Sequence, residues 1–135
     1  CIKEVHGIAL GGVEPYHQGI NTPLEVMPVT AAIAADRVAL STCIRRVKLD
    51  FDAPDEAVVF GAVASGTGVP DAAALRATAQ TLYDRILRRD ATADEIAALV
   101  DFHAEVVAET GGDGRRRWAQ MSCFSVATTL EALFY

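Results

Sequence analysis

The last eighteen residues, WAQMSCFSVATTLEALFY from Trp118 to Tyr135, carry a single charge, Glu131. Read as a helix, the stretch shows apolar side chains nearly all the way round, and such a helix must be covered on most sides. It is too polar for lipid: Gln120, Ser122, Ser125, Thr128, Thr129 and Glu131 interrupt it. No apolar run in the chain reaches membrane-spanning length, and this one comes closest. The rest of the chain is therefore expected to wrap this segment. Trp118, Met121, Phe124, Leu130 and Leu133 are the predicted core contacts. Glu131, the one residue that packing does not explain, is expected to bond an arginine, Arg85 or Arg88.

The segments before it have helical periods. Residues 29–48 place Val29, Ile33, Leu40, Ile44 and Val47 on one face, joined by Cys43, with Asp36, Arg37, Arg45 and Lys48 largely opposite. Residues 71–89 carry the stripe Leu75, Ala79, Leu82 and Ile86, widened by Tyr83, and end in Arg88-Arg89, where a helix dipole favours cations. Thr92-Ala93-Asp94-Glu95 is a capping box, the strongest local signal in the chain. It opens a helix over 93–110 with the stripe Ile96, Leu99, Val100, His103 and Val107, closed by Gly111-Gly112. Asp113 is placed to cap the closing helix, 115–134. Short connections make these four antiparallel neighbours, so the expected fold is an all-α bundle of four main helices, 29–48, 71–89, 93–110 and 115–134.

Two stretches resist the pattern. Residues 1–28 contain Gly7, Gly11, Gly12, Gly19, Pro15, Pro23 and Pro28 and read as an irregular N-terminal arm, long for a connection inside a compact domain. Val5–Leu10 has the pattern of a short strand or a helical turn, and 23–27 that of one turn at most. The arm is expected to lie over the helices or over a partner, leaving 29–135 as a single bundle domain. Residues 49–64 fit either a hairpin, from the alternation in Leu49-Asp50-Phe51-Asp52 and the run AVVFGAVA, or a short helix started by Pro54-Asp55-Glu56. The helical surroundings favour the helix. Ser65-Gly66-Thr67-Gly68 lacks the Lys-Ser/Thr of a phosphate loop and reads as a linker.

The net charge of −6 leaves no basic excess for phosphate neutralisation, so nucleic acid is not an expected partner. Arg45-Arg46-Val47-Lys48 and Arg115-Arg116-Arg117 read as solvated helix ends. The acidic cluster Asp50, Asp52, Asp55 and Glu56 lacks the glycine and the closing Glu of a calcium loop and reads as a solvated turn.

Candidate chemistry is sparse. His6, His17 and His103 would make a zinc or haem site if they met in space, but they fit neither Cys-x-x-Cys-His nor His-Glu-x-x-His. His103 sits on an apolar stripe, where a core histidine bonded to a polar neighbour is the simpler reading. No Gly-x-Ser-x-Gly context supports a hydrolase. Cys43 and Cys123 sit mid-helix on apolar faces. They are either two buried thiols or an inter-helix disulfide, the latter only in an oxidising compartment. Cys1 is what a bacterial lipoprotein signal leaves at a mature N-terminus, and is the expected lipidation site. The alternatives are a disulfide to Cys1 or an unmodified cysteine, and Ile2-Lys3-Glu4-Val5 is not a usual flexible tether.

Residues 75–135 resemble a known module. The run from Leu82-Tyr83-Asp84-Arg85 through Thr92-Ala93-Asp94-Glu95-Ile96, then Trp118 and the closing Thr129-Leu130-Glu131-Ala132-Leu133-Phe134-Tyr135, is similar to the C-terminal helical module of large extracytoplasmic proteins found with cytochrome-type domains in planctomycetes and related bacteria. Ala91 stands where that pattern has proline, and Ala132 where it has phenylalanine after the glutamate. The resemblance implies a helical fold and a secreted or periplasmic setting, and no chemistry. The resulting expectation is a non-enzymatic, periplasmic or extracellular accessory subunit without a cofactor. Its partners are other subunits of a larger complex, and its membrane contact runs through a lipid on Cys1. The alternative is an electron-transfer accessory protein holding a non-covalent haem or metal through His6, His17 or His103.

Overall fold

A computed structural model describes residues 6–16, 19–23, 25–26 and 29–134, apart from the side chains of Val29, Leu133 and Phe134. The chain divides into two compact units, residues 1–41 and 42–135. The sequence suggests a boundary at 28/29; the units part at 41/42, within the first long helix.

In the first unit the arm is closed by backbone bonds. Leu10 N donates to His6 O at 3.0 Å and Gly12 N to Gly7 O at 2.8 Å. A Cβ at Gly12 would stand 2.7 Å from the Gly7 carbonyl oxygen, so the turn needs glycine there. Glu14 and Ile20 form an antiparallel bridge, the only strand-like pairing among the described residues. Helix α1, Val29–Asp52, starts in this unit and ends in the second. Its predicted core face is corrected by the structure. Cys43 and Val47 are buried, but Ile33, Leu40 and Ile44 are 55%, 41% and 43% exposed, while Ala31 and Ala34 are buried instead. Periodicity marks an apolar face; it does not say whether a neighbour covers it.

The ambiguous stretch 49–64 has no strand and its regular parts are helical, as the surroundings suggested, but they are separate turns rather than one short helix begun at Pro54. α1 runs on to Asp52, a 3-10 turn follows at Pro54–Glu56, and α2 is a single turn, Gly61–Ala64. The alternation at 49–52 is thus the last turn of a helix, not a strand.

Helix α3, Ala72–Leu87, begins where the Asp71 carboxylate accepts the Ala74 N–H at 2.7 Å. It stops two residues short of the predicted 89, because Arg88 adopts the left-handed conformation (φ 57°, ψ 31°) and turns the chain out of the helix. α4, Ala93–Thr110, opens with the predicted capping box: Thr92 Oγ1 accepts from Glu95 N at 3.3 Å, and Glu95 Oε2 accepts from Thr92 N at 2.7 Å. The chain then turns at Gly111, Gly112 and Gly114, all with positive φ. At Gly114 a Cβ would also meet Val107 Cγ2 at 2.8 Å, so α5 approaches α4 where only glycine fits.

The predicted helix 115–134 is two helices, α5 at Arg115–Ala127 and α6 at Leu130–Phe134. Two threonines divide it. Thr128 Oγ1 donates to Phe124 O at 2.8 Å and Thr129 Oγ1 to Val126 O at 2.9 Å, while Thr129 Oγ1 accepts the Ala132 N–H at 3.2 Å. Hydroxyls that bond nearby backbone compete with the helix, and here they end one and cap the next.

α3, α4 and α5 pack on one another around Trp118, with α2, the second half of α1 and α6 at the margins. Leu75, Ala79, Leu82, Tyr83, Leu99, Val106, Ala119 and Val126 join Trp118, Val47, Phe60 and Val63 in a single cluster. The α5 contacts differ from expectation. Trp118, Ala119, Ser122, Cys123 and Val126 are buried, Met121 and Phe124 are half-buried, and Leu130 is 76% exposed; the Leu133 side chain lies outside the described residues. The described chain is all-α, with four long helices as the patterns indicate.

Candidate functional site

The chemistry-bearing residues of the second unit gather at three junctions between helices. The first is covalent. Cys43 of α1 and Cys123 of α5 form a disulfide, with Cα atoms 5.7 Å apart at a sequence separation of 80. Both sulfurs sit in the core cluster. Each cysteine stands on the buried face of its helix, which brings the two side chains together.

The second junction is Asp50, read from the sequence as part of a solvated acidic turn. It is fully buried. Its carboxylate accepts three successive backbone N–H groups, Val58 at 3.1 Å, Val59 at 2.9 Å and Phe60 at 2.9 Å. Arg46, one turn earlier on α1, supplies the counter-charge at 2.6 Å. Burial pushes the Asp50 carboxyl up, but the bonds from Phe60, Val59 and Val58 and the charge of Arg46 outweigh it, and the group is held below its ordinary value. The last turn of α1 is an unfavourable place for an anion, since the dipole there is already negative. The concave row of amides at 58–60 makes the position tenable. The sequence signal that marks Asp50 is slight. It is the one acid of its cluster in register with Cys43 and Val47 on the buried side of α1.

The third junction joins the end of α3 to α4 and α6 through Arg89. The expected arginine partner of Glu131 exists, but it is Arg89 rather than Arg85 or Arg88. The left-handed turn at Arg88 takes Arg89 off the helical wheel on which those two were chosen. Arg89 Nε and Nη2 donate to the two Glu131 oxygens at 2.8 and 2.9 Å. Nη1 and Nη2 donate to the two Glu95 oxygens at 2.9 and 2.7 Å, and Nη1 reaches the Asp90 carbonyl at 3.0 Å. All five guanidinium donors are therefore used. The guanidinium also lies 5.1 Å from the Tyr83 ring centroid. Arg89, with the Thr92 amide, holds Glu95 down at about 2. It lowers Glu131 as well, and is itself pushed up by Glu95 and then Glu131. Burial, then the Glu95 charge, raises the Tyr83 phenol.

The three arginines opening α5 oppose the helix dipole, and they are not simply a solvated end. Arg115 Nη1 donates to the Val63 carbonyl at 3.2 Å and to the Gly66 carbonyl, at the end of α2, while its Nε pairs with Asp113 at 2.9 Å. Asp113 also caps α5 as expected, accepting the Arg115 N–H at 3.1 Å. Arg116 lies 5.2 Å from the Phe51 ring centroid and 3.4 Å from Asp52, which also pairs with Lys48.

His103 is a buried core histidine. Its Nε2 is 3.0 Å from the Asp113 carbonyl, so that nitrogen carries the proton, and its ring stands edge-on to Trp118 with centroids 6.0 Å apart. Trp118 in turn donates its indole N–H to the Leu99 carbonyl at 2.7 Å. His6 is half-buried in the first unit, and His17 and Cys1 lie outside the described residues. Among the described residues no three His, Cys, Asp or Glu side chains come together as a metal site, and no helix is long and apolar enough to cross a membrane. No protein-family model, curated protein or solved structure matches the chain.

Proposed function

We propose that this protein is a non-enzymatic accessory subunit that works outside the cytoplasm and docks on a larger, membrane-associated assembly. The observation that carries this reading is the Cys43–Cys123 disulfide. Structural disulfides persist in oxidising compartments and are rare where thiols are kept reduced. Docking is supported by α1. At 3.6 residues per turn, Ile33 and Leu40, both in the first unit, fall within about 20° of one another, and both are exposed. Single exposed apolar residues are ordinary, but an aligned pair is what a partner covers. Of the described groups with shifted protonation, Asp50, Glu95, Arg89, Glu131 and Asp113 are engaged in bonds between structural elements or caps, Asp52 pairs with Lys48 and Arg116, and Tyr83 lies buried beneath Arg89, which favours a scaffold over a catalyst.

The test is the mass of the protein purified from its native cells after alkylation without reductant. The proposal expects Cys43 and Cys123 to escape alkylation and to take up reagent only after reduction. Both thiols labelled without reductant would overturn it. The same spectrum reads whether Cys1 carries lipid.

A further inference from the structure

At the end of α3 one arginine has a task and its neighbour has none. Arg89 spends every donor in the clamp described above. Arg88 precedes it in the left-handed conformation, the only non-glycine residue with positive φ among the described residues. Glycine would hold that turn without a steric cost, so the geometry of the clamp does not by itself call for arginine. The Arg88 side chain is exposed, and its guanidinium has no partner among the described residues.

Arg88 stands at the rim of an open groove of about 530 Å³ that Ile86, Leu87, Ala132 and Glu131 also line among the described residues. The floor is aliphatic. Of the two charged groups on its edge, Glu131 has both oxygens bonded to Arg89. The other, Arg88, is exposed and has no ion-pair partner among the described residues, so the unpaired charge on this edge is positive. A ligand complementary to these walls has an unbranched apolar body and a compact anionic head.

We infer that the groove between Arg88, Ile86, Leu87 and Ala132 binds a long-chain carboxylate, a fatty acid, with its head on the Arg88 guanidinium and its chain along the aliphatic floor. The planar fork of arginine matches a carboxylate with two parallel hydrogen bonds. Each methylene removed from water strengthens binding by about fourfold, the equivalent of its transfer free energy. Affinity therefore rises with chain length until the groove is filled. This inference does not depend on the compartment or the docking role proposed above.

The test is calorimetric titration of the intact protein with decanoate below its micelle concentration, beside hexanoate, acetate and the neutral decanol. The expected order is decanoate, then hexanoate, with acetate showing no binding and decanol about fivefold weaker than decanoate, since its hydroxyl keeps one hydrogen bond to the guanidinium but loses the second bond and the charge pairing. Arg88→Gly should fold at least as well as the parent, because glycine suits the left-handed turn, and should lose about fivefold in decanoate affinity. Arg88→Asn, also tolerated there, is the second variant should Arg88→Gly fail to fold. Absence of decanoate binding, decanol binding as well as decanoate, or undiminished binding by the folded Arg88 variant would each overturn the inference.

Discussion

Asp50 and Arg89 do the same job in different surroundings. Each ties the end of a helix to segments outside that helix, and each has its bonding capacity filled. Asp50 is buried and bonded to backbone; Arg89 is about a third exposed and bonded mostly to carboxylates. The Asp50 partners are main-chain amides held by the fold, so they cannot rotate away, and removing the carboxylate strands at least the buried Phe60 amide out of water. The Arg89 partners are flexible side chains that water can solvate instead. The difference teaches that the better-connected group need not be the more valuable one, because burial decides what a lost bond costs.

Asp50→Asn should therefore be the most damaging change. It puts an amide N–H₂ against backbone donors and leaves Arg46 without its counter-charge. Breaking a buried pair in this way costs about 3–5 kcal/mol, readable as a lower denaturation midpoint. Removing the disulfide with Cys43→Ala/Cys123→Ala comes next. The bond closes an 80-residue loop, and such links typically contribute about 2–4 kcal/mol. Arg89→Met should lower the melting temperature by only a few degrees. At about 1 M salt, where charges are screened over about 3 Å, the gap to the parent should narrow, whereas the Asp50→Asn deficit should not.

Acid separates the anchors less cleanly, because both contain carboxylates titrating below their ordinary values. A depressed carboxylate contributes stability above its unfolded pKa and loses it as pH falls through the folded one. For Glu95 that window runs from its ordinary 4.5 down to about 2. Stability should thus be flat above pH 5 and fall steadily towards pH 2, and Glu95→Gln should flatten that limb at the cost of a lower plateau. A pH titration of the denaturation midpoint reads both effects.

The parts of this architecture that were legible in the sequence are those whose cause is local. Thr92 and Glu95 sit three residues apart and satisfy each other's amides, so the start of α4 could be read directly. The same holds for the glycines at 111 and 112. The stripe on α3 was legible because Leu75, Ala79, Leu82 and Tyr83 are covered by its neighbours. The stripe on α1 had the same period, yet Ile33, Leu40 and Ile44 are exposed, since coverage depends on what lies opposite. Arg89 was missed because a left-handed arginine carries no signature that glycine would have given. Asp50 was missed because its partners are amides, which every residue has, placed eight to ten positions further on. The cysteine pairing was visible as one option, while its oxidation is a property of the folded pair.

Amide exchange at Val58, Val59 and Phe60 tests most directly whether Asp50 anchors the end of α1. These residues lie outside any helix, so their N–H groups owe their bonds to the Asp50 carboxylate alone. The account predicts that in the parent protein they exchange as slowly as amides in the middle of α3 and α4, and that in folded Asp50→Asn they exchange orders of magnitude faster while the α3 and α4 amides stay protected. Rapid exchange at 58–60 in the parent protein, or protection unchanged by the substitution, would contradict it.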